Sequence, residues 1–280
     1  MTTVAAALRE ASARIGADWA RDDAEMLMAH ALGCTRSHML LMRMRDPAPE
    51  GFAKLLARRL AHEPVAYIVG EADFYGRRFE VAPAVLIPRG DSETIVRAAL
   101  ASAPDAGRVL DMGTGSGCLL LTVLAELPEA RGTGIDRSGE ALVVASQNAA
   151  TLGLEGRAIF AQADWTQEGW ARDLGTFDLV LCNPPYVEDH AELDASVRDH
   201  EPHGALFAGP DGLDDYRRLV PQLPALLAPG GVAVLEIGYR QAEAVTALAG
   251  AAGFTASLHR DLADRPRALV LVQKGLAKVR

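Results

Sequence analysis

The stretch RVLDMGTGSG, residues 108–117, reads as a short buried strand that runs straight into a glycine-rich turn. Val109, Leu110 and Met112 are apolar without regular alternation, the pattern of a strand covered on both faces. Gly113, Gly115 and Gly117 then allow a tight turn and a close approach of a ligand to the backbone. The apolar helix expected over 117–127 offers unpaired N–H groups at its start. Strand, glycine turn and helix in that order open a doubly wound α/β domain.

The same alternation continues toward the C-terminus. RGTGID (131–136), RAIFAQAD (157–164), FDLVLCN (177–183), GGVAVLEIG (230–238), FTASLHR (254–260) and RALVLVQ (267–273) read as further strands, with helices expected over 138–151 and 239–250. Short apolar strands alternating with helices predict a seven-stranded parallel sheet covered on both faces. On the N-terminal side a helix is expected from about Ser92 to Ala101. Before it, β-branched and aromatic residues cluster around Gly70 and Gly76, punctuated by Pro64, Pro83 and Pro88, and predict a β-hairpin linker over about 64–88. Residues 1–62 have helical spacing and no strand signal, with Gly33 suited to a C-terminal cap and Pro49 to a first turn. The expected division is a small helical domain over 1–75 and an α/β domain over 76–280.

Composition narrows the function. At 280 residues, 49% hydrophobic and 23% charged, the chain is too apolar for disorder and long enough for two unequal domains. Glu126, Asp136, Glu140, Asp178 and Glu236 interrupt every apolar run short of the ~20 residues that cross a bilayer. Arg9, Glu10 and Arg14 break the apolar core that a signal peptide requires, so a cytoplasmic protein is expected. Cys34, Cys118 and Cys182 form neither a disulfide framework nor a close-spaced metal set, and no metal is expected. A formal charge of −9 argues against broad affinity for nucleic acid. The best local basic patch, Arg36, Arg43, Arg45, Lys54, Arg58 and Arg59, reads either as a docking surface or as a solvated face.

Three strand ends carry the chemistry. The spacing of Gly113, Gly115 and Gly117 differs from the G-x-G-x-x-G dinucleotide pattern, and Asp111 ahead of it is ill placed beside a pyrophosphate. An acid there suits a ligand bearing positive charge, and S-adenosylmethionine has both an ammonium and a sulfonium. Thr114 and Ser116 lie in the same turn. Asp136 ends the second strand, where a carboxylate can accept both hydroxyls of a ribose; Ser138 is free to cap the following helix. Asp164 and Trp165 end the third strand, an acid and an aromatic that suit adenine, or equally a solvated turn with a partly buried tryptophan.

The fourth strand runs into Asn183-Pro184-Pro185-Tyr186. Two consecutive prolines fix a rigid extended turn that holds Asn183 and Tyr186 at the sheet edge. An Asn side-chain oxygen and a proline carbonyl each accept a hydrogen bond from an NH2 group, and an aromatic ring packs on its plane. The tetrapeptide thus suits a planar nitrogen substrate, an amide or a nucleobase amine.

With these residues the chain resembles the class I S-adenosylmethionine-dependent methyltransferases, and NPPY the branch that modifies planar nitrogens. PVAYIVG (64–70), FYGRRFEV (74–81), VLIPR (85–89), LDMGTGSGC (110–118), EPHGALFAGPDGLDDYR (201–217) and LEIGYRQ (235–241) narrow the resemblance to the peptide chain release factor glutamine methyltransferases, the PrmC/HemK family. That resemblance implies S-adenosylmethionine as cofactor and a methyl group passed to the glutamine amide nitrogen of the Gly-Gly-Gln motif in release factors. It also implies that Asn183, Pro184 and Tyr186 act in catalysis and that residues 183–186 bind substrate. The cofactor would fall to Asp111, residues 113–117, Asp136, Asp164, Trp165 and Asn183. A working monomer that binds no nucleic acid directly is expected. One departure is visible: the family follows IPR with proline, whereas this chain has Gly90 ahead of Asp91, Ser92 and Glu93. A ribosomal-protein glutamine methyltransferase is the nearest alternative, and a DNA adenine methyltransferase, which needs a basic duplex-binding surface, a more distant one.

Overall fold

A computed structural model describes residues 2–275. The chain divides into two compact units, Met1–Glu71 with Leu193–Glu201, and Ala72–Glu192 with Pro202–Arg280.

The first unit is helical, with principal helices Val4–Ile15, Ala20–Ala31 and Phe52–Leu60. The first is closed by caps the sequence supplies: the Thr3 hydroxyl accepts from the Ala6 amide, and Gly16 ends the helix in the left-handed region. Leu8, Leu27, Met28, Met39, Phe52 and Leu56 fill its core. The segment PVAYIVG, expected to open the hairpin linker, instead forms the short helix Val65–Val69, because Pro64 is well placed at its N-cap and Gly70 supplies the left-handed stop. Ala195–His200, a helix the sequence pattern did not signal, belongs to this unit, and the His200 ring lies 3.2 Å from the Ala61 carbonyl.

The basic patch of this unit is largely neutralised within it. Arg36 pairs with Asp22 and Glu25, Arg43 with Asp46, Arg58 with Glu63, and Arg59 with Asp23. Side chains of the last pair are only 11% and 14% exposed. The charge run in the sequence therefore marks helix-bracing ion pairs drawn from neighbouring segments rather than a field of free cations.

The second unit opens with a hairpin, β1 (Glu71–Phe74) and β2 (Arg77–Glu80), turned at Gly76. Seven strands follow: β3 (Arg108–Met112), β4 (Arg131–Asp136), β5 (Ala158–Gln162), β6 (Phe177–Cys182), β7 (Leu227–Glu236), β8 (Phe254–Arg260) and β9 (Pro266–Gln273). They form one sheet in the order β5-β4-β3-β6-β7-β9-β8. The first five are parallel, but β9 pairs antiparallel with both β7 and β8, so the sheet is mixed rather than wholly parallel. The cause is the short turn between β8 and β9, which leaves no room for a crossover helix and forces a hairpin.

This order sets the site. The chain winds from β3 outward through β4 to β5, then returns to the other flank of β3 as β6, leaving a switch point between β3 and β6 at the carboxyl edge. In the ladders Met112 is level with both Ile135 and Cys182, and Asp136 with Gln162. Gly113, Asp136 and Asn183, each one residue beyond the level of Met112, Ile135 and Cys182, thus emerge side by side. Leu119 to Leu124 cover one face of the sheet, and Tyr216, Leu219, Leu223 and Val245 cover the other.

Candidate active site

A cavity of about 580 Å³ opens over this edge, within the size range of cofactor pockets. Gly113, Thr114, Gly115, Ser116, Asp136, Asp164, Trp165, Asn183 and Pro185 all line it. Asp111, Gly117, Pro184 and Tyr186 are not among its lining residues, and Asp111 and Gly117 support the glycine loop that is.

Support takes specific forms. Asp111 is fully buried, and its Oδ2 accepts from the Thr114 hydroxyl at 2.7 Å, while Oδ1 has no hydrogen-bond partner among the described residues. Burial pushes this carboxyl up to about 7, against the opposing pull of Thr114 and the Leu120 amide. The acid therefore sits under the glycine loop as a latent negative charge. Gly113 has φ +72, and a Cβ there would come within 3.2 Å of the Trp165 ring, so the residue is demanded both by its backbone and by the indole beside it. Gly117 caps the Cys118–Glu126 helix with φ +80 and lets Ala145 pack close.

Asp136 does more than the sequence suggested. Ser138 caps the Gly139–Thr151 helix as expected, accepting from the Ala141 amide. Asp136 nevertheless accepts from the Gly115 amide at 3.0 Å and the Ser138 amide at 2.9 Å. A carboxylate has about four acceptor sites, so two remain for a ribose diol while the other two lock the glycine loop to β4. Asp164 accepts from the amide and hydroxyl of Thr166, which hold its carboxyl below the ordinary range, ionised and fixed. Trp165 is pinned by its indole N–H to Asp215 Oδ1 at 3.0 Å.

Asn183 leaves β6 half-buried, and among the described residues none hydrogen-bonds its side chain, so both ends of the amide can serve a ligand. Tyr186 is tied down at its hydroxyl, which donates to Glu236 Oε1 at 3.1 Å, and at its carbonyl, which accepts from Gln241 Nε2 at 3.0 Å. The pocket wall also includes Val85 to Arg89 and the loop Gly204–Gly209, where Arg137 Nη2 donates to the Gly204 carbonyl at 2.6 Å. These segments carried no assigned role in the sequence reading. VLIPR and EPHGALFAG stood out there only as resemblance, because apolar and glycine-rich loop residues announce no chemistry by type.

The set fits S-adenosylmethionine on the structure's own terms. A buried, partnerless carboxylate oxygen lies beneath the loop where a cationic ligand would rest, and Asp136 retains free acceptor sites in the wall.

A seven-stranded sheet with an antiparallel last pair, a glycine loop at its switch point and an acid at the next strand end define a class I methyltransferase. Residues 6–70 match the PrmC N-terminal domain and residues 91–199 the Methyltransferase small domain. The chain is 43% identical to the release factor glutamine methyltransferase of Caulobacter vibrioides, over 93% of this chain and 92% of that protein. It is 44% identical to the protein of the same name from Cereibacter sphaeroides, over 93% and 95%. The chain belongs to the release factor glutamine methyltransferase family. Among the described residues no helix is long and apolar enough to cross a membrane, and no cluster of His, Cys, Asp or Glu could hold a metal ion.

Proposed function

We propose that the enzyme methylates the side-chain amide nitrogen of the glutamine in the Gly-Gly-Gln motif of peptide chain release factors, with Asn183 as the residue that receives the amide. The observation that carries this reading is an asparagine amide with no hydrogen-bond partner among the described residues, set at a pocket edge by two prolines directly beside the glycine loop. The cofactor is S-adenosylmethionine; when bound, it supplies a methyl group already activated on a sulfonium.

Gly115 and Asp136 would hold its ribose end, Asp136 with the two acceptor sites that the Gly115 and Ser138 amides leave open. Asp164 and Trp165 form the floor for the base. At the other end, the Asn183 side-chain oxygen and the Pro184 carbonyl accept from the two amide hydrogens, and the Tyr186 ring holds the amide plane. A glutamine amide is a poor nucleophile because its lone pair is delocalised into the carbonyl. Two fixed acceptors orient it for in-line attack and stabilise the positive charge that grows on nitrogen as the N–C bond forms and the C–S bond breaks. One amide proton then leaves to water. We place the reaction in the cytoplasm, on a protein substrate rather than nucleic acid, and carried out by a monomer.

The test is single-turnover methylation of a release factor carrying Gly-Gly-Gln, beside one carrying Gly-Gly-Ala and a duplex DNA. Asn183→Ala is expected to slow turnover ~100-fold with little change in cofactor affinity by calorimetry. Labelling of the alanine form or of DNA would sink the amide assignment, and normal turnover by Asn183→Ala would sink the role of Asn183.

A further inference from the structure

Behind the pocket, a group of buried polar side chains stands against Tyr186. Glu236 ends β7 and is 2% exposed; its Oε1 accepts from the Tyr186 hydroxyl, and its Oε2 has no hydrogen-bond partner among the described residues. Arg267, 7% exposed, precedes Ala268, the β9 partner of Glu236, and its charge acts on both Glu236 and Tyr186. Its Nη2 pairs with Asp91 at 2.8 Å and Asp261 at 3.4 Å. Ser92, also buried, sets its hydroxyl beside the same Glu236 carboxylate.

Taking a carboxylate out of water is costly, and a neutral side chain of the same shape would fill this space at less expense. An acid kept there calls for a use. Its Oε1 accepts from Tyr186, the aromatic member of the substrate loop. The bond is 3.1 Å long, and a charged acceptor holds a phenol more firmly than a neutral one would. The backbone of the same residue is braced independently: Gln241 donates to the Tyr186 carbonyl and to the Gly212 carbonyl, and its own oxygen accepts from the Gly238 amide.

We infer that Glu236 is a positioning residue for methyl transfer, acting through the Tyr186 hydroxyl to fix the ring against which the substrate amide lies, with Arg267, itself paired to Asp91, set beside the carboxylate. This rests on reading residues 183–186 as the substrate loop. It also gives a task to the segment Arg89–Glu93: Asp91 holds Arg267, Ser92 adjoins Glu236, and Glu93 accepts from the Tyr75 amide. Burial pushes the Glu236 carboxyl above the ordinary range, with Ser92, Arg267 and Tyr186 opposing and Asp91 adding to the rise. The other titratable groups that feel it are the thiols of Cys118 and Cys182 and the phenol of Tyr216. None of these opposes it with a positive charge. As pH falls through the raised value, Glu236 takes a proton and the bond to Tyr186 loses its charge.

The experiment uses the full chain with saturating S-adenosylmethionine and a Gly-Gly-Gln release factor, in single turnover from pH 5.5 to 8.5, for Glu236→Gln, Tyr186→Phe and the double variant. Glu236→Gln should slow methyl transfer about tenfold, flatten the acid limb of the rate profile and leave cofactor affinity unchanged. Added to Tyr186→Phe, it should cost nothing further. A full tenfold loss in the Tyr186→Phe background, or a wild-type rate and profile for Glu236→Gln, overturns the inference. If Asn183→Ala and Tyr186→Phe also turn over normally, the substrate-loop reading itself has failed. Should Glu236→Gln not fold, Asp91→Asn at its half-exposed site replaces it in the same cycle. A rate loss present with Tyr186 and absent with Phe supports the relay, and equal losses in both backgrounds overturn it.

Discussion

Asp111→Asn should make the protein more stable at pH 8 than the wild type and no more stable at pH 4. The wild-type carboxyl is fully buried, and burial lifts it from the ordinary 3.8 to about 7. Below pH 4 it is protonated whether the chain is folded or not, and the penalty is absent. Between 4 and 7 the unfolded chain has released the proton and the folded chain still holds it, so stability falls as pH rises. Above 7 both forms are ionised and the cost is constant, on the order of 4 kcal/mol at about 1.4 kcal/mol for each pH step. Asparagine keeps the shape and an oxygen for the Thr114 hydroxyl but removes the titration. Urea unfolding followed by tryptophan fluorescence at pH 4, 5, 6, 7 and 8 would read the difference between variant and wild type. A steady constant contributed by the substitution itself shifts all points together, so the diagnostic is the slope. A difference that stays flat from pH 4 to pH 8 would refute the claim that Asp111 is a buried, proton-holding acid beneath the loop.

Asp136→Ala should weaken S-adenosylmethionine binding by tenfold to a hundredfold, the value of one or two charge-assisted bonds, and should also lower the melting temperature because the Gly115 and Ser138 amides lose their acceptor. Calorimetry and thermal melting read the two effects, and a wild-type melting temperature would contradict the double duty assigned to Asp136. Gly90→Pro should stabilise the fold by about 0.4–1 kcal/mol, since Gly90 opens a 3-10 turn, has open space where a Cβ would lie and follows Arg89 at ψ 139°, which tolerates a proline next. Denaturant titration tests it; a loss of stability would mean that this turn depends on the glycine.

The parallel half of the sheet was legible because each of its strands is a short apolar run closed by a turn signal, and burial on both faces leaves no other pattern. What the runs could not convey was direction. FTASLHR and RALVLVQ look like any other strands, and the antiparallel pairing follows from the length of the link between them rather than from their side chains. The helix Val65–Val69 was hidden for a related reason: Val65, Tyr67 and Val69 favour strands by type, but Pro64 and Gly70 bound a segment too short for propensity to outweigh its caps. Ion pairs were hidden further, because Arg59 and Asp23 lie far apart in the chain and meet only through helix packing.

For the site, the residues that announce themselves by type were found, and those that work by burial were not. Asn183 and Asp136 sit in loops after strands, where a polar residue stands out against an apolar run. Glu236 stands at the end of VAVLE and was read merely as an interruption of an apolar stretch, although an acid inside such a stretch is itself a signal, since carboxylates are almost never fully buried without a partner. Arg267 is the matching basic residue at the start of the neighbouring strand, and the antiparallel register of β7 and β9 is what brings the two together. A parallel arrangement would place the start of β9 at the opposite edge from the end of β7. The misjudged strand direction and the missed polar cluster are therefore one omission: the antiparallel turn of the last strand is what puts a cation behind the substrate loop.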